Sequence, residues 1–281
     1  MSPPTFSRLR ARLWIGAATL LLAASSAWAD LMLFPTRIVF EKNQRAAQLE
    51  LINQGKTPET YRLSLVNRRM SETGEFAPAD TPAAGEQFAD EMVRFSPRQV
   101  TIAPGSSQTV RMLLRKPENL AAGEYRSHLQ IDRVPDPVGS GSIEAAPDNG
   151  NIGVTLTALV GASIPVIVRQ GETGATVALT QLALLPAGAE PASIAFEIDR
   201  SGNRSVYGDL TVTFIPKSGA PIDVAKAGGV AVYVPNPLRR ARMPLRMPDG
   251  TPLAGGTLRV SFRERADAGG KLLAEATLAI P

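Results

Sequence analysis

The stretch Ile152-Gly153-Val154-Thr155-Leu156-Thr157-Ala158-Leu159-Val160-Gly161-Ala162-Ser163-Ile164-Pro165-Val166-Ile167-Val168 is apolar at every second position from Ile152 onward. The positions between are mostly small or polar. Period-2 alternation of this kind puts one hydrophobic stripe on a β-strand. The run is also long. At ~3.3 Å per residue it extends about 55 Å, whereas an ordinary strand has roughly 5–6 residues. A sandwich domain of usual size cannot bury so much of one strand. Either the chain kinks at Gly161 and Pro165 and only the second part is core, or the first part is made for another surface. No charged residue interrupts Asn151 to Val168, although apolar edges are normally blunted by charge. An edge left in that state suits strand addition by a partner, and is open to self-capping as a dimer.

Outward from this stretch, the chain reads as short alternating segments between clusters of Gly, Pro, Asn and Asp. Upstream strands are predicted over Thr36–Glu41, Ala46–Ile52, Thr60–Asn67, Met92–Ser96, Gln108–Lys116 and Tyr125–Val134. Leu49/Leu51, Tyr61/Leu63/Leu65, Val110/Met112/Leu114 and Leu129/Ile131 keep the period-2 spacing. Asn53-Gln54-Gly55-Lys56 and Ala103-Pro104-Gly105 are turn signals. About seven strands so spaced predict an antiparallel β-sandwich. Glu72–Asp90 reads as a solvated loop, and Asp136–Gly150 as a flexible connector into the long strand. Downstream, Arg169–Gly174 reads as a hinge. Further strands are predicted over Thr176–Leu184, Ser193–Asp199, Gly208–Ile215, Val230–Val234, Thr257–Arg263 and Leu272–Ile280. The expectation is an all-β protein of two sandwiches in series, at residues 30–168 and 175–281, joined at 169–174.

The first 29 residues are set apart from this fold. Arg8, Arg10 and Arg12 precede an apolar stretch from Leu13 to Ala24, and Ala27-Trp28-Ala29 is a small-x-small cleavage site. That is the pattern of a cleaved secretory signal, so Asp30 is expected to begin the mature chain. The stretch is short for a membrane span, and no later segment approaches that length. Removing the segment also removes three arginines and no acids. The balance falls from 30 basic against 26 acidic residues to 27 against 26, which gives no support to nucleic-acid binding. There is no cysteine and only one histidine, His128. Thiol and iron–sulfur chemistry are excluded, and histidine-based metal sites are not expected.

No constellation points to catalysis. Ser127 and His128 are adjacent on a strand and therefore face opposite sides of a sheet. Asp90, Glu91, Asp132 and Asp136 lie at no spacing that pairs carboxylates. Gly139-Ser140-Gly141 has no following helix to make a phosphate site, and Asn203-Arg204-Ser205 is a chance-level glycosylation triplet. The protein is not expected to be an enzyme or to carry a cofactor. Arg239-Arg240-Ala241-Arg242, between Pro237 and Pro244, reads by default as a solvated basic loop, with docking of an acidic partner as the alternative. In the opening strand Ile38 and Phe40 share the buried face, which leaves Arg37 pointing away from the core.

Several motifs together resemble the periplasmic chaperones of the chaperone–usher pilus-assembly pathway. They are Thr36-Arg37-Ile38-Val39-Phe40, Leu51-Ile52-Asn53, Phe95-Ser96-Pro97-Arg98, Ala103-Pro104-Gly105-Ser106-Ser107-Gln108-Thr109-Val110-Arg111, Gly123-Glu124-Tyr125-Arg126 leading to Val134-Pro135, and Ser163-Ile164-Pro165-Val166-Ile167-Val168-Arg169. They cover the first domain; the second matches only in size and strand content. The resemblance implies immunoglobulin-like sandwiches and a chaperone that completes pilin-like subunits with its own strand, then hands them to an outer-membrane usher. By position, the groove-filling residues are Val154, Leu156, Ala158 and Val160, with Ile152 at the far end. Burying four or five such side chains would contribute roughly 6–12 kcal/mol gross at ~1.5–3 kcal/mol each, with Ala158 giving less, before the ordering cost of binding. Arg37 falls on a basic residue that holds the subunit's terminal carboxylate. A second basic anchor, a lysine in the family, aligns with Pro165, and Arg169 is the nearest basic residue by sequence to replace it. His128 and Gln130 also depart from the family's usual aromatic and asparagine. The resemblance is thus to a divergent branch. The competing reading is a secreted fibre subunit that self-assembles through the same stripe, but the stripe is internal, whereas subunits usually donate a terminal extension.

Overall fold

A computed structural model of the chain describes residues 30–135, 161–188, 191–248 and 252–281. The N-terminal export segment and Ile152, Val154, Leu156, Ala158 and Val160 lie outside the described residues.

In chain order the first group of strands is β1 (Leu31–Phe34), β2 (Ile38–Phe40), β3 (Ala46–Asn53), β4 (Glu59–Val66), β5 (Arg68–Met70), β6 (Phe76–Pro78), β7 (Val93–Ser96), β8 (Gln99–Ile102), β9 (Ser107–Leu114), β10 (Gly123–Val134) and β11 (Gly161–Gln170). One sheet has the order β1-β3-β9-β7 and the other β2-β11-β10-β4-β8. If β1 and β2 are taken as one strand A that changes sheets, and β3, β4, β7, β9, β10 and β11 as B, C, D, E, F and G, the sheets read ABED and AGFC. That is the order of an immunoglobulin-type sandwich. The period-2 apolar positions build its core: Leu49, Leu51, Leu63, Val110, Met112, Leu129 and Ile131 are buried, and Ile164, Val166 and Val168 of β11 join them.

The second group is β12 (Ala175–Leu185), β13 (Ser193–Gly202), β14 (Val206–Pro216), β15 (Ile222–Val232), β16 (Leu238–Pro244), β17 (Gly256–Glu264) and β18 (Leu272–Ile280). Their sheets are β12-β13-β16 and β15-β14-β17-β18. They close over a separate core that includes Ile198, Leu210, Phe214, Leu258 and Phe262. The protein is all-β, two sandwiches in series.

Several elements differ from the sequence expectation; β15, for one, begins at Ile222, well before the predicted Val230–Val234. The predicted strand Thr36–Glu41 is β2, which lies parallel to β11, and before it a strand that was not predicted, β1, pairs with β3 in the other sheet. The loop predicted over Glu72–Asp90 contains β6, which pairs with β5 in a hairpin. β8 was not expected at all. The basic stretch Arg239-Arg240-Ala241-Arg242 is not a loop but the body of β16, paired with β13. Arg240 bonds Glu72 at 2.6 Å and Glu197 at 3.2 Å, and Arg242 donates to the Ser193 hydroxyl.

That hairpin fastens the two sandwiches together. Asn236 donates through Nδ2 to the Met70 carbonyl at 2.8 Å, and the Arg240 amide donates to the Glu72 carbonyl at 2.7 Å. Between them Met70, Ile167, Ala231 and Tyr233 form a small buried cluster of their own. Ile167 is on the face of β11 opposite the stripe. The strand thus feeds the first core with one face and the domain junction with the other.

Candidate functional site

Arg37 precedes β2, whose alternation sends Ile38 and Phe40 into the first core and leaves Val39 and Arg37 on the face toward the second domain. The Arg37 guanidinium lies over the Tyr207 ring at 4.7 Å from its centroid and near Tyr233 at 5.9 Å. Aromatic faces attract a cation but satisfy none of its N–H donors. Its Nη1 is buried and has no hydrogen-bond partner. Among the described residues no carboxylate pairs with Arg37.

Arg37 lines a cleft of about 750 Å³ between the domains, with Phe34 at its rim 68% exposed. Basic groups outnumber acids on the walls: Arg37, Arg169, Arg204, Arg265 and Lys271 against Glu41, Glu264 and Asp267. The cleft therefore favours an anion.

Arg169 stands in the same cleft but in other circumstances. As the penultimate residue of β11 it donates through Nε to Glu124 at 3.0 Å and through Nη1 to Glu41. The Glu124 side chain is 1% exposed and also accepts the Ser205 amide at 3.2 Å from the second domain. Burial, with Arg204 and Arg37 nearby, pulls the Arg169 guanidinium down to about 9, which leaves it charged at neutral pH. The structure thus brings both sequence-predicted cations to one cleft, one with its Nη1 unpartnered and the other already paired.

The cleft adjoins an open sheet edge. β11 pairs with β10 over Gly161–Gln170 and with β2 only over Val166–Val168. Among the described residues, Gly161–Pro165 have one paired side. Proline is tolerated in a sheet on such an edge. The parallel register sets Val166 against Ile38, so one step further back Arg37 stands beside Pro165. This point of β11 supplies neither a side-chain charge nor an N–H.

Sequence reasoning missed the contribution of the second domain. Tyr207, Tyr233 and Arg204 come from β14, the residue after β15, and the β13–β14 turn. Of these, only Arg204 stands in a sequence motif, the Asn203-Arg204-Ser205 triplet. A contact between domains leaves no periodic mark that could have signalled it.

Ser127 and His128 are engaged in structural contacts. Ser127 Oγ donates to Asn67 Oδ1 at 2.6 Å and accepts the Ala89 amide. His128, on the other face, lies edge-on to Phe76 at 5.1 Å and to Tyr233 at 6.5 Å. Burial first, then Arg126 and Arg68, lower its pKa to about 3. No cluster among the described residues could hold a metal ion, and no helix there is long and apolar enough to cross a membrane.

No model of a known protein family matches the chain, and no curated protein matches it. Solved structures do. The Pseudomonas aeruginosa CupB2 chaperone is 15% identical, covering 89% of this chain and 99% of its own, with a TM-score of 0.42. A chain of the CsuC–CsuE chaperone–tip subunit pre-assembly complex from the archaic chaperone–usher Csu pili of Acinetobacter baumannii is 12% identical, with coverage of 89% and 97% and a TM-score of 0.44. A chain of the Salmonella enterica SafA pilin–SafB chaperone complex is 14% identical, with coverage of 91% and 99% and a TM-score of 0.41. Each of these structures contains a chaperone. The likeness is one of outline, too distant to assign a role to any residue of this chain.

Proposed function

We propose that the protein is a periplasmic pilus-assembly chaperone of the chaperone–usher type, a divergent one, which binds pilin-like subunits and delivers them to an outer-membrane usher. Ile152, Val154, Leu156, Ala158 and Val160 fill the subunit's groove as an added strand, and Arg37 receives its terminal carboxylate. The observation that carries this reading is the Arg37 guanidinium. It is a cation with a buried, unpartnered Nη1, in an anion-favouring cleft beside the unpaired edge of β11. Leaving such a donor without an acceptor costs free energy, and an incoming carboxylate recovers it through a charge-assisted bond. The apolar sequence leading into β11 supports the strand half of the reading, because no charge protects it. The N-terminal export pattern supports the compartment.

Co-expression with a pilin-like gene product, followed by periplasmic extraction and gel filtration, tests the reading. A 1:1 complex is expected with the wild-type chain and none with Leu156→Asp, whose free form stays folded. If Leu156→Asp still stabilises the subunit, strand donation is wrong. If Arg37→Glu binds as well as wild type, the carboxylate role of Arg37 is wrong.

A further inference from the structure

We propose that Arg204, from the second domain, is the second cation of the carboxylate site, so that a bound anion is held from both domains at once. The inference rests on the carboxylate role given to Arg37 above. Arg169 cannot supply this charge without cost. Its Nε and Nη1 are committed to Glu124 and Glu41, and freeing it would leave the buried Glu124 carboxylate uncompensated. Pro165, beside Arg37, carries no charge.

Arg204 lines the same cleft with a side chain 40% exposed. Its acidic neighbour is Glu41 at 3.7 Å, a carboxylate that Arg169 already holds more closely. Among the described residues Arg204 has no carboxylate partner that it does not share with Arg169, and Glu264, also on the cleft wall, acts on Arg169. Arg37 and Arg204 both lie close enough to Arg169 to help lower its pKa.

The backbone holds Arg204 in place without using its guanidinium. Its carbonyl accepts from Arg200 Nη1 at 3.0 Å, the next amide, Ser205, donates to Glu124, and Ser205 Oγ accepts the Val234 amide at 2.9 Å. Of the other basic residues in the cleft, Arg265 is shared between Asp209 and Asp267. Lys271 is exposed, where solvent screens its charge.

The test titrates the full folded chain with acetylglycine and with acetylglycinamide, following arginine side-chain N–H resonances by NMR. Acetylglycine is expected to shift the Arg37 and Arg204 signals, and the amide to shift neither. Arg204→Gln should weaken acetylglycine binding by about fivefold or more, and Arg204→Lys should restore most of the affinity. Glu41→Gln should tighten binding by releasing Arg204. Acetylglycine affinity unchanged within about twofold in Arg204→Gln overturns the proposal and leaves the Arg37 reading standing. Loss of affinity in Lys271→Gln but not in Arg204→Gln overturns it in favour of Lys271. If wild type does not discriminate the acid from the amide, the carboxylate reading of Arg37 falls, and this one with it.

Discussion

Arg37 and Arg169 share a cleft but differ in their electrostatic surroundings, and the difference predicts opposite consequences for removing them. Arg169→Met strips the partner from Glu124, whose side chain is 1% exposed. A buried charge left unpaired costs about 3–5 kcal/mol, so urea unfolding of Arg169→Met should show a loss of that order. Arg169→Met with Glu124→Gln should recover much of it. A loss below about 1 kcal/mol in the single variant contradicts the buried pair. Arg37→Gln removes a cation whose Nη1 has no partner. It should leave the melting temperature within a few degrees of wild type while weakening subunit binding about tenfold or more.

His128 sets a second prediction at the scale of one side chain. Its folded-state pKa is about 3 against an ordinary 6.5, lowered chiefly by burial and then by Arg126 and Arg68. The unfolded chain takes up a proton near pH 6.5 that the folded chain refuses until about pH 3. The site's contribution to stability is therefore complete above pH 6.5 and is lost as the pH falls toward 3. Between about pH 7 and about pH 4.5 the loss assignable to His128 is roughly 2–3 kcal/mol, at ~1.4 kcal/mol per unit. Urea unfolding at the two pH values should show His128→Phe losing less than wild type by about that amount. Equal losses in the two proteins would mean that His128 is not the group responsible.

At the scale of elements, the strands legible in the sequence are those whose inward positions are apolar for long enough to count. β3, β4, β9 and β10 each present two or three buried residues at period 2, and the structure buries Leu49/Leu51, Tyr61/Leu63, Val110/Met112 and Leu129/Ile131 as that pattern requires. β5 and β6 are three residues each and too short to display a period. β16 does alternate, with Arg239, Ala241 and Met243 turned inward, but an arginine occupies the first inward place. Read by composition, that strand is a basic loop. Only the facing Tyr233 and Ala231 carbonyl of the second domain, and the hairpin packed above, make room for Arg239. The cleft was half legible for the same reason. Arg37 is marked by its place in a strand, while Tyr207, Tyr233 and Arg204 owe theirs to the meeting of two domains.

The β5–β6 hairpin carries that meeting. Gly74 has a φ of +90°, and a Cβ there would collide with the Arg239 guanidinium. Gly74→Val should cost roughly 1–3 kcal/mol from the backbone conformation and the displaced contact. It should also split thermal unfolding, read by calorimetry, into two transitions as the sandwiches lose their clamp. A single transition at the wild-type temperature would show that the hairpin does not couple them.

At the scale of the molecule, the two sandwiches are bridged at both ends of their junction, through Glu124 and Ser205 beside the cleft and through Met70, Glu72, Asn236 and Arg240 at the hairpin. Such a junction holds Arg37 against aromatic rings of the other domain while β11 runs out toward the apolar stretch that precedes it. The stripe read first in the sequence accordingly divides. Its second part, Ile164 to Val168, is core, and its first part, Ile152 to Val160, is the proposed subunit-binding strand.

Strand donation is the central claim, and backbone amide hydrogen exchange tests it at the residues concerned. Exchange at Val154, Leu156 and Ala158 is compared in the chaperone alone and in complex with a pilin-like subunit. Pairing in the subunit's sheet predicts that these amides slow by on the order of 100-fold in the complex. A stable complex in which they exchange as fast as in the chaperone alone would contradict the account.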